Sequence, residues 1–408
     1  MLSTDRTAVS PVSIVLAAMG LIAIGVVMVA SASASLDRPV LGPGMWTGPF
    51  GRQLIFVLVG VGLLLGTSRI APALLRSPLS KTWIPRILFV VTVACLAVAL
   101  VPGIGDSRNG SQRWLRFAPG GIDVGFQPSE IAKLALVLIL ASVLGGERST
   151  PRKFFRGFVP ATLATGLCVG LVGKENLGTA ALLAAVAFTS LLVAGCRIHH
   201  LLMLVGMAAF GLSVLLFAAP YRLERVTTYK NLWADVQGKS YQPVQSLFTI
   251  ASGGWFGTGL GTGLQKYGYL PESHSDFVFA VICEELGIFG GLFVILLFCG
   301  FAWLGFRVMM GAATRFERLL AFGLTILVVL QAMLNIAVVT VVAPTTGVPL
   351  PFVSAGGSGI FVTCTMVGLL AAIAARGAYA TQDLAEDYVD DPRSNVVSVE
   401  PAFANTTL

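Results

Sequence analysis

Charge is scarce in this chain: Asp, Glu, Lys and Arg make up 12% of 408 residues, while 55% are hydrophobic. Soluble domains carry about twice that charge, so a water-soluble fold is excluded before any motif is read. Paired cysteines are missing too. Cys95, Cys168, Cys196, Cys283, Cys299 and Cys364 sit in or at the ends of apolar runs with no CxxC spacing, which removes a zinc centre and leaves small core side chains. No Walker loop is present, and the GTGLGTGL run at 257–264 follows no recognisable strand. Neither an ATP-driven machine nor a dinucleotide-binding turn has its motif, and no nucleic-acid partner is expected.

What is present is a series of apolar runs long enough to cross a hydrocarbon core of about 30 Å. Lipid offers the backbone no hydrogen bonds, so each run must be a helix that satisfies its own peptide groups. The chain reads as an all-α polytopic membrane protein of about ten transmembrane helices, at roughly 12–33, 53–71, 83–102, 128–145, 154–173, 178–195, 200–219, 277–306, 319–342 and 358–375. Arg6 before the first run and the small residues at 30–35 after it imitate a signal peptide, but the run is long for one and further spans follow. Lys and Arg in short loops set the orientation. With the N-terminus inside, Arg69, Arg76, Lys81, Arg86, Arg148, Arg152, Lys153, Arg156, Arg197, Arg307, Arg315, Arg318 and Arg376 all fall inside. The expectation is N-in/C-in, with outer loops at 103–127 and 220–276, the second a large extracytoplasmic loop between helices 7 and 8. A single transmembrane domain is expected over 1–378. The tail 379–408, acidic at Asp383, Glu386, Asp387, Asp390 and Asp391, is expected to be disordered and cytoplasmic.

The outer loops still hold cations that the positive-inside rule leaves unexplained: Arg108, Arg113, Arg116, Arg222, Arg225, Lys230, Lys239 and Lys266. They suggest an anionic partner such as a lipid phosphate. For Lys230 and Lys239 ordinary solvated loop charge explains as much, whereas Arg113 and Arg116 flank Trp114, an interfacial aromatic. An ionisable group within a span costs about 3 kcal/mol unless it is paired or wet. Glu130 and Lys133 open the fourth span three residues apart, on one face, as an ion pair. Gln127 and Ser129 stand beside them, and Pro128 suits a first helical turn. The segment LPESHSDF at 270–277 brings Glu272, His274 and Asp276 to the entrance of the eighth span, with Glu284 and Glu285 further in. Extending that helix back to Asp276 sets Glu284 about 80° round and about 12 Å deeper. Asp276 is then the group near solvent, and the deeper glutamates read as braces. An aspartate at a helix start can merely favour the dipole; Glu272 and His274 beside it argue for chemistry.

Several blocks, taken in order, carry a resemblance: NGSQRW (109–114), QPSEIAK (127–133), NLGT (176–179), YQPVQS (241–246), ASGGWFGTGLG (251–261), LPESHSDFVFAVICEELG (270–287) and PTTGVPLPFVSAGGS (344–358). Together they resemble the SEDS (shape, elongation, division and sporulation) family of FtsW, RodA and SpoVE, with the NGSQRW loop and the QAMLNIAVVT stretch (331–340) more FtsW-like than RodA-like. The resemblance implies a peptidoglycan glycosyltransferase in the bacterial cytoplasmic membrane. It would polymerise lipid II on the outer face and release undecaprenyl diphosphate, for cell division or elongation. Asp276 matches the family's catalytic aspartate and would act as general base in one inverting displacement, since the donor linkage is α and the glycan β. Substrate contacts would come from Arg113, Trp114, Gln127, Ser129, Glu130, Lys133, Gln245, Ser246, Glu272, His274 and Ser354. The leaving diphosphate would face Arg113, Lys133, Arg222 or Arg225, and a divalent cation, Mg²⁺ or Mn²⁺, is implied with Glu130 and Glu272 as candidate ligands. Implied partners are a class B penicillin-binding transpeptidase and divisome or elongasome membrane proteins. Two departures stand out: Asn176, preceded by Glu175, replaces the usual acid of P-D-L-G, and Ala355 replaces a tyrosine in the last block. The alternatives are a lipid II flippase or a catalytically weak scaffold for the transpeptidase.

Overall fold

Prolines open the early helices. Pro11, Pro49, Pro78 and Pro128 each stand first in α1 (Pro11–Ser33), α2 (Pro49–Leu74), α3 (Pro78–Ala99) and α4 (Pro128–Gly145), where the ring sets φ and the missing N–H has no partner to lose. The structure, a computed structural model, describes residues 9–33, 48–101, 105–108, 111–117, 124–146, 150–217, 229, 231–238, 240–264 and 267–390. A π-helical turn, Phe154–Phe158, leads into α5 (Val159–Glu175), followed by α6 (Leu177–Val193) and α7 (Ile198–Phe217). Then come α8 (Tyr241–Gly253), α9 (Val278–Gly311), α10 (Arg315–Val339) and α11 (Gly357–Asp390).

Each expected span overlaps one of these helices, several running a few residues past its end. Eight are long and apolar enough to cross a membrane, and Leu177–Val193 and Ile198–Gly211 are shorter apolar helices. The chain is a multi-pass membrane protein. The most buried helices, α4, α10 and α11, form the centre of the bundle, while α2 and α3 bury far less. Leu58, Leu65, Ile70, Ile87 and Val90 on α2 and α3 are exposed, an apolar girdle suited to lipid or to another membrane-embedded surface. α2 runs along α11, α9 along α10, and α4 packs between α3 and α10.

Four features differ from the sequence expectation. The first outer loop contains a small antiparallel sheet, β1 (Gly105–Arg108), β2 (Ser111–Phe117) and β3 (Val124–Phe126), in the order β1-β2-β3. The second holds α8, whose Ser246 hydroxyl donates to the Val339 carbonyl at 2.7 Å and so fastens the loop to α10. The last helix runs past 378 to Asp390, because 379–390 holds no Gly or Pro and Pro392 is the first breaker. Residues 391–408 lie outside the described residues. Lastly, Asp276 is not a helical residue: it sits in the turn before α9, and the helix starts at Val278.

Within α9 the backbone breaks at Gly287, with φ 71° and ψ −174°. The glycine-rich run uses this break. Ile288 N–H donates to Gly254 C=O at 3.0 Å, Thr258 N–H to Glu284 C=O at 2.9 Å and Gly259 N–H to Glu285 C=O at 3.0 Å. The carboxylates finish the clasp. Leu264 N–H donates to Glu284 Oε1 at 2.9 Å and Gly261 N–H to Glu285 Oε2 at 3.1 Å, and the Ser31 hydroxyl of α1 reaches Glu285 at 2.6 Å. The two deep glutamates therefore brace α1, α9 and the loop between α8 and α9.

Candidate functional site

The Asp276 loop is folded around its own glutamate. Ser275 N–H and Phe277 N–H both donate to the Glu272 carbonyl, at 3.1 and 3.2 Å, which forces Glu272 to φ 55°. Among the described residues the other non-glycine positions at positive φ are Val341 and Phe352, at 57° and 66°, on either side of the 344–351 stretch. Left-handed backbone at such residues costs on the order of 1–3 kcal/mol and persists where surrounding structure over-determines it. All three lie in the two segments that meet at this site.

That meeting is made of hydrogen bonds. The Ser354 hydroxyl donates to the Ser275 carbonyl at 2.6 Å and accepts Leu350 N–H at 2.8 Å. Ala355 N–H donates to the His274 carbonyl at 2.9 Å. Asn335 of α10 gives its amide N–H₂ to the carbonyls of Asp276 and Val348, both at 2.8 Å. One turn earlier, Gln331 donates to the Pro349 carbonyl at 2.9 Å and accepts from Lys133 at 2.9 Å. Lys133 Nζ lies 2.8 Å and 2.9 Å from the two Glu130 oxygens. A continuous polar chain thus runs from Glu130 on α4, through Lys133 and α10, to the backbone that carries Asp276. Gly347, at φ 63°, lies against the carboxylate: a Cβ there would stand 3.4 Å from Asp276 Oδ2.

The expected site residues divide. Asp276, His274, Ser354, Glu130 and Lys133 are joined by this chain. Gln127 and Ser129 sit at its α4 end, bonded to each other at 2.9 Å. Ser246 is fully buried and spent on Val339, and Gln245 beside it is half-buried. Trp114 is half-buried on β2, paired with Asp106. A bulge in that pairing makes Arg113 the extra residue of β2, but its side chain lies outside the described residues, as do those of Arg108 and Arg116 and the whole of Arg222, Arg225, Lys230, Lys239 and Lys266. Asn176 accepts Thr179 N–H at 3.0 Å and caps α6, a duty an aspartate performs equally well. With Ser129 and Glu175 it lines a crevice of about 20 Å³, room for one water. The sequence reading does not assign Gln331, Asn335 or Gly347. The first two carry a legible signal: two amides four residues apart on an apolar helix, one face and both costly in lipid.

A divalent cation held by Glu130 and Glu272 does not fit. Glu130 gives both oxygens to Lys133, whose ammonium, 1% exposed, would repel a dication. Glu272 is exposed and its Oε2 accepts the Ser275 hydroxyl at 2.8 Å. Among the described residues no group of three His, Cys, Asp or Glu gathers closely enough to hold an ion. The same burial takes Lys133 out of the set of freely accessible cations.

The sequence matches the cell cycle protein family of FtsW, RodA and SpoVE over residues 12–379. It is 36% identical over 351 residues to stage V sporulation protein E of Bacillus subtilis (strain 168), covering 86% of this chain and 93% of that protein. With the probable peptidoglycan glycosyltransferase FtsW of Trichlorobacter lovleyi it shares 38% over 364 residues, 89% of this chain and 92% of the relative. A solved chain described under structural coordination of polymerization and crosslinking by a peptidoglycan synthase complex superposes with a TM-score of 0.69 at 26% identity, over 89% of this chain and 97% of that one. The rod shape determining protein RodA of Thermus thermophilus does so at 0.60 and 26%, over 89% and 95%. Sequence and fold agree over nearly the full length of these proteins, and the chain belongs to the cell cycle protein family of FtsW, RodA and SpoVE.

Proposed function

We propose that this chain is a peptidoglycan glycosyltransferase that joins lipid II units into glycan at the outer surface of the bacterial cytoplasmic membrane, with Asp276 as the base. The observation that carries the reading is the double tether on the Asp276 turn. Ser354 holds the Ser275 carbonyl and Asn335 the Asp276 carbonyl, so the backbone that carries the carboxylate is fixed at two successive peptide groups. Preorganisation of this kind is what a general base requires.

In the proposed step the acceptor sugar's 4-hydroxyl attacks the anomeric carbon of the donor as Asp276 takes the hydroxyl proton. The new C–O bond forms while the bond to the diphosphate breaks on the opposite face, the configuration inverts from α to β, and undecaprenyl diphosphate leaves. One carboxylate suffices for a single displacement. The Glu130–Lys133 pair positions α10 and the 344–356 loop, and the departing diphosphate falls to the outer-loop arginines, Arg113 first. A crosslinking partner of the class B penicillin-binding type is supported by the likeness to a chain of a synthase complex described as coordinating polymerization and crosslinking. A division-type role is supported by relatives named FtsW and SpoVE at 36 to 38% identity, against 26% for the RodA structure.

The test is glycan synthesis from lipid II by the purified protein, with and without its transpeptidase partner. Wild type yields polymer, and Asp276→Asn loses it by on the order of 10² or more while keeping its melting temperature. Equal polymer from both would sink Asp276 as the base. Absence of polymer with lipid II translocation intact in liposomes would instead favour a flippase.

A further inference from the structure

The α4–α5 connection and the α6–α7 turn meet at the end of the bundle away from Asp276. α5 measures the separation. Just beyond its last turn, Gly178 packs against Thr346 of the site loop, while its lead-in begins at Phe154, about 30 Å back along the axis at 1.5 Å per residue. There Arg152, Lys153, Arg156 and Arg197, with Phe155 and His200, line an open pocket of about 450 Å³ with no Asp or Glu among the described residues of its walls. None of the four cations pairs with a carboxylate among the described residues. α5 with its lead-in and α7 both begin beside this pocket, so the positive ends of two helix dipoles add to the side-chain charge.

Positive-inside bias accounts for basic residues in these short connections. It does not account for the floor on which they converge. His200 is 6% exposed, stacked on Phe158 at 4.9 Å between centroids, and its Nδ1 has no hydrogen-bond partner. A buried imidazole nitrogen left unsatisfied at the wall of a pocket calls for a polar occupant. The rim points to lipid: Phe155 is 79% exposed and Ile198 66%, continuous with the apolar outer surface of α5 at Leu163, 68% exposed. A free phosphate would satisfy the cations and leave this apolar lip in water.

We infer that this pocket binds the phosphate headgroup of an anionic phospholipid in the leaflet opposite the Asp276 loop, with acyl chains lying along Phe155 and Ile198. Basic pockets between helix ends are a recurrent solution for such headgroups. The site is separate from the glycosyl-transfer site and stands or falls independently of it.

Native mass spectrometry of the full-length protein tests this, with phosphatidylglycerol and phosphatidylcholine as probes. Wild type retains phosphatidylglycerol in preference to phosphatidylcholine. A variant with Arg152→Gln, Arg156→Gln and Arg197→Gln loses retention on the order of 100-fold, as expected for removing three cations from one headgroup. Lysine at the same three positions keeps most of it, which separates lost charge from lost fold. A charge-matched control, Arg69→Gln, Arg76→Gln and Arg86→Gln, binds as wild type. Equal retention by wild type and the pocket glutamine variant, equal retention of both lipids, or loss in the charge-matched control would overturn the site. Displacement of phosphatidylglycerol by millimolar inorganic phosphate would overturn its assignment to lipid.

Discussion

Lys133 lies among helices where an ammonium has no water, and its three donors are all accounted for by Glu130 and Gln331. A buried pair of this kind adds little net stability compared with an apolar replacement, yet breaking it is costly because the surviving charge is stranded. Glu130→Gln and Lys133→Met should therefore each destabilise the detergent-purified protein by about 3–5 kcal/mol, read as a fall in melting temperature, and the double variant should recover most of the loss. Additive losses would mean the pair does not act as a unit. Much of this residue-level arrangement is legible in the sequence. The i, i+3 spacing on an apolar helix announces the Glu130–Lys133 pair, and LPESHSDF announces a polar turn at a helix mouth. Gln331 and Asn335 are legible as two costly amides on one helix face, but their partners are not, because an amide in a span has no fixed partner until the facing loop is folded. What the 344–356 loop offers to these two amides is the Pro349 and Val348 carbonyls, and carbonyls carry no sequence signature.

At the scale of elements, the break in α9 is as informative as the helices. Gly287 occupies a region of φ and ψ open in practice only to glycine, and a Cβ there would collide with the Trp255 carbonyl and the Gly257 amide. Gly287→Ala should cost at least about 2 kcal/mol and release the 254–264 run, seen as faster amide hydrogen exchange there. Gly62→Ala on α2, where a Cβ meets nothing within 4 Å, should be neutral or slightly stabilising. Unchanged exchange at 254–264 in the Gly287 variant would remove the clasp as a structural element. The apolar runs declare themselves because lipid admits only helices. The three strands and α8 do not, since short segments in polar loops lack enough periods for their pattern to stand out. The GTGLGTGL run is legible as glycine-rich but not as a clasp, because its partners Glu284 and Glu285 come from the next helix.

At the scale of the whole molecule, the bundle has two chemically different ends. One carries the Asp276 turn, the 344–356 loop, the sheet and α8. The other carries helix ends and short connections with Arg69, Arg76, Arg152, Arg156, Arg197 and Arg318. Their cations are the reason to place that end in the cytoplasm, and the placement decides which leaflet supplies the lipid-linked donor. It is checked by single cysteines in a cysteine-free background, which breaks no disulfide because all six cysteines are free thiols. Tyr269→Cys and Val342→Cys replace exposed residues at the Asp276 end, and a membrane-impermeant maleimide should label both in intact spheroplasts. Ser77→Cys, in the α2–α3 connection, and Met310→Cys, exposed at the far end of α9, should label only after permeabilisation. The reverse pattern would put Asp276 in the cytoplasm, where a glycan polymerase could not extend the external wall. Labelling at both ends without permeabilisation would mean that the helices do not cross as a single bundle.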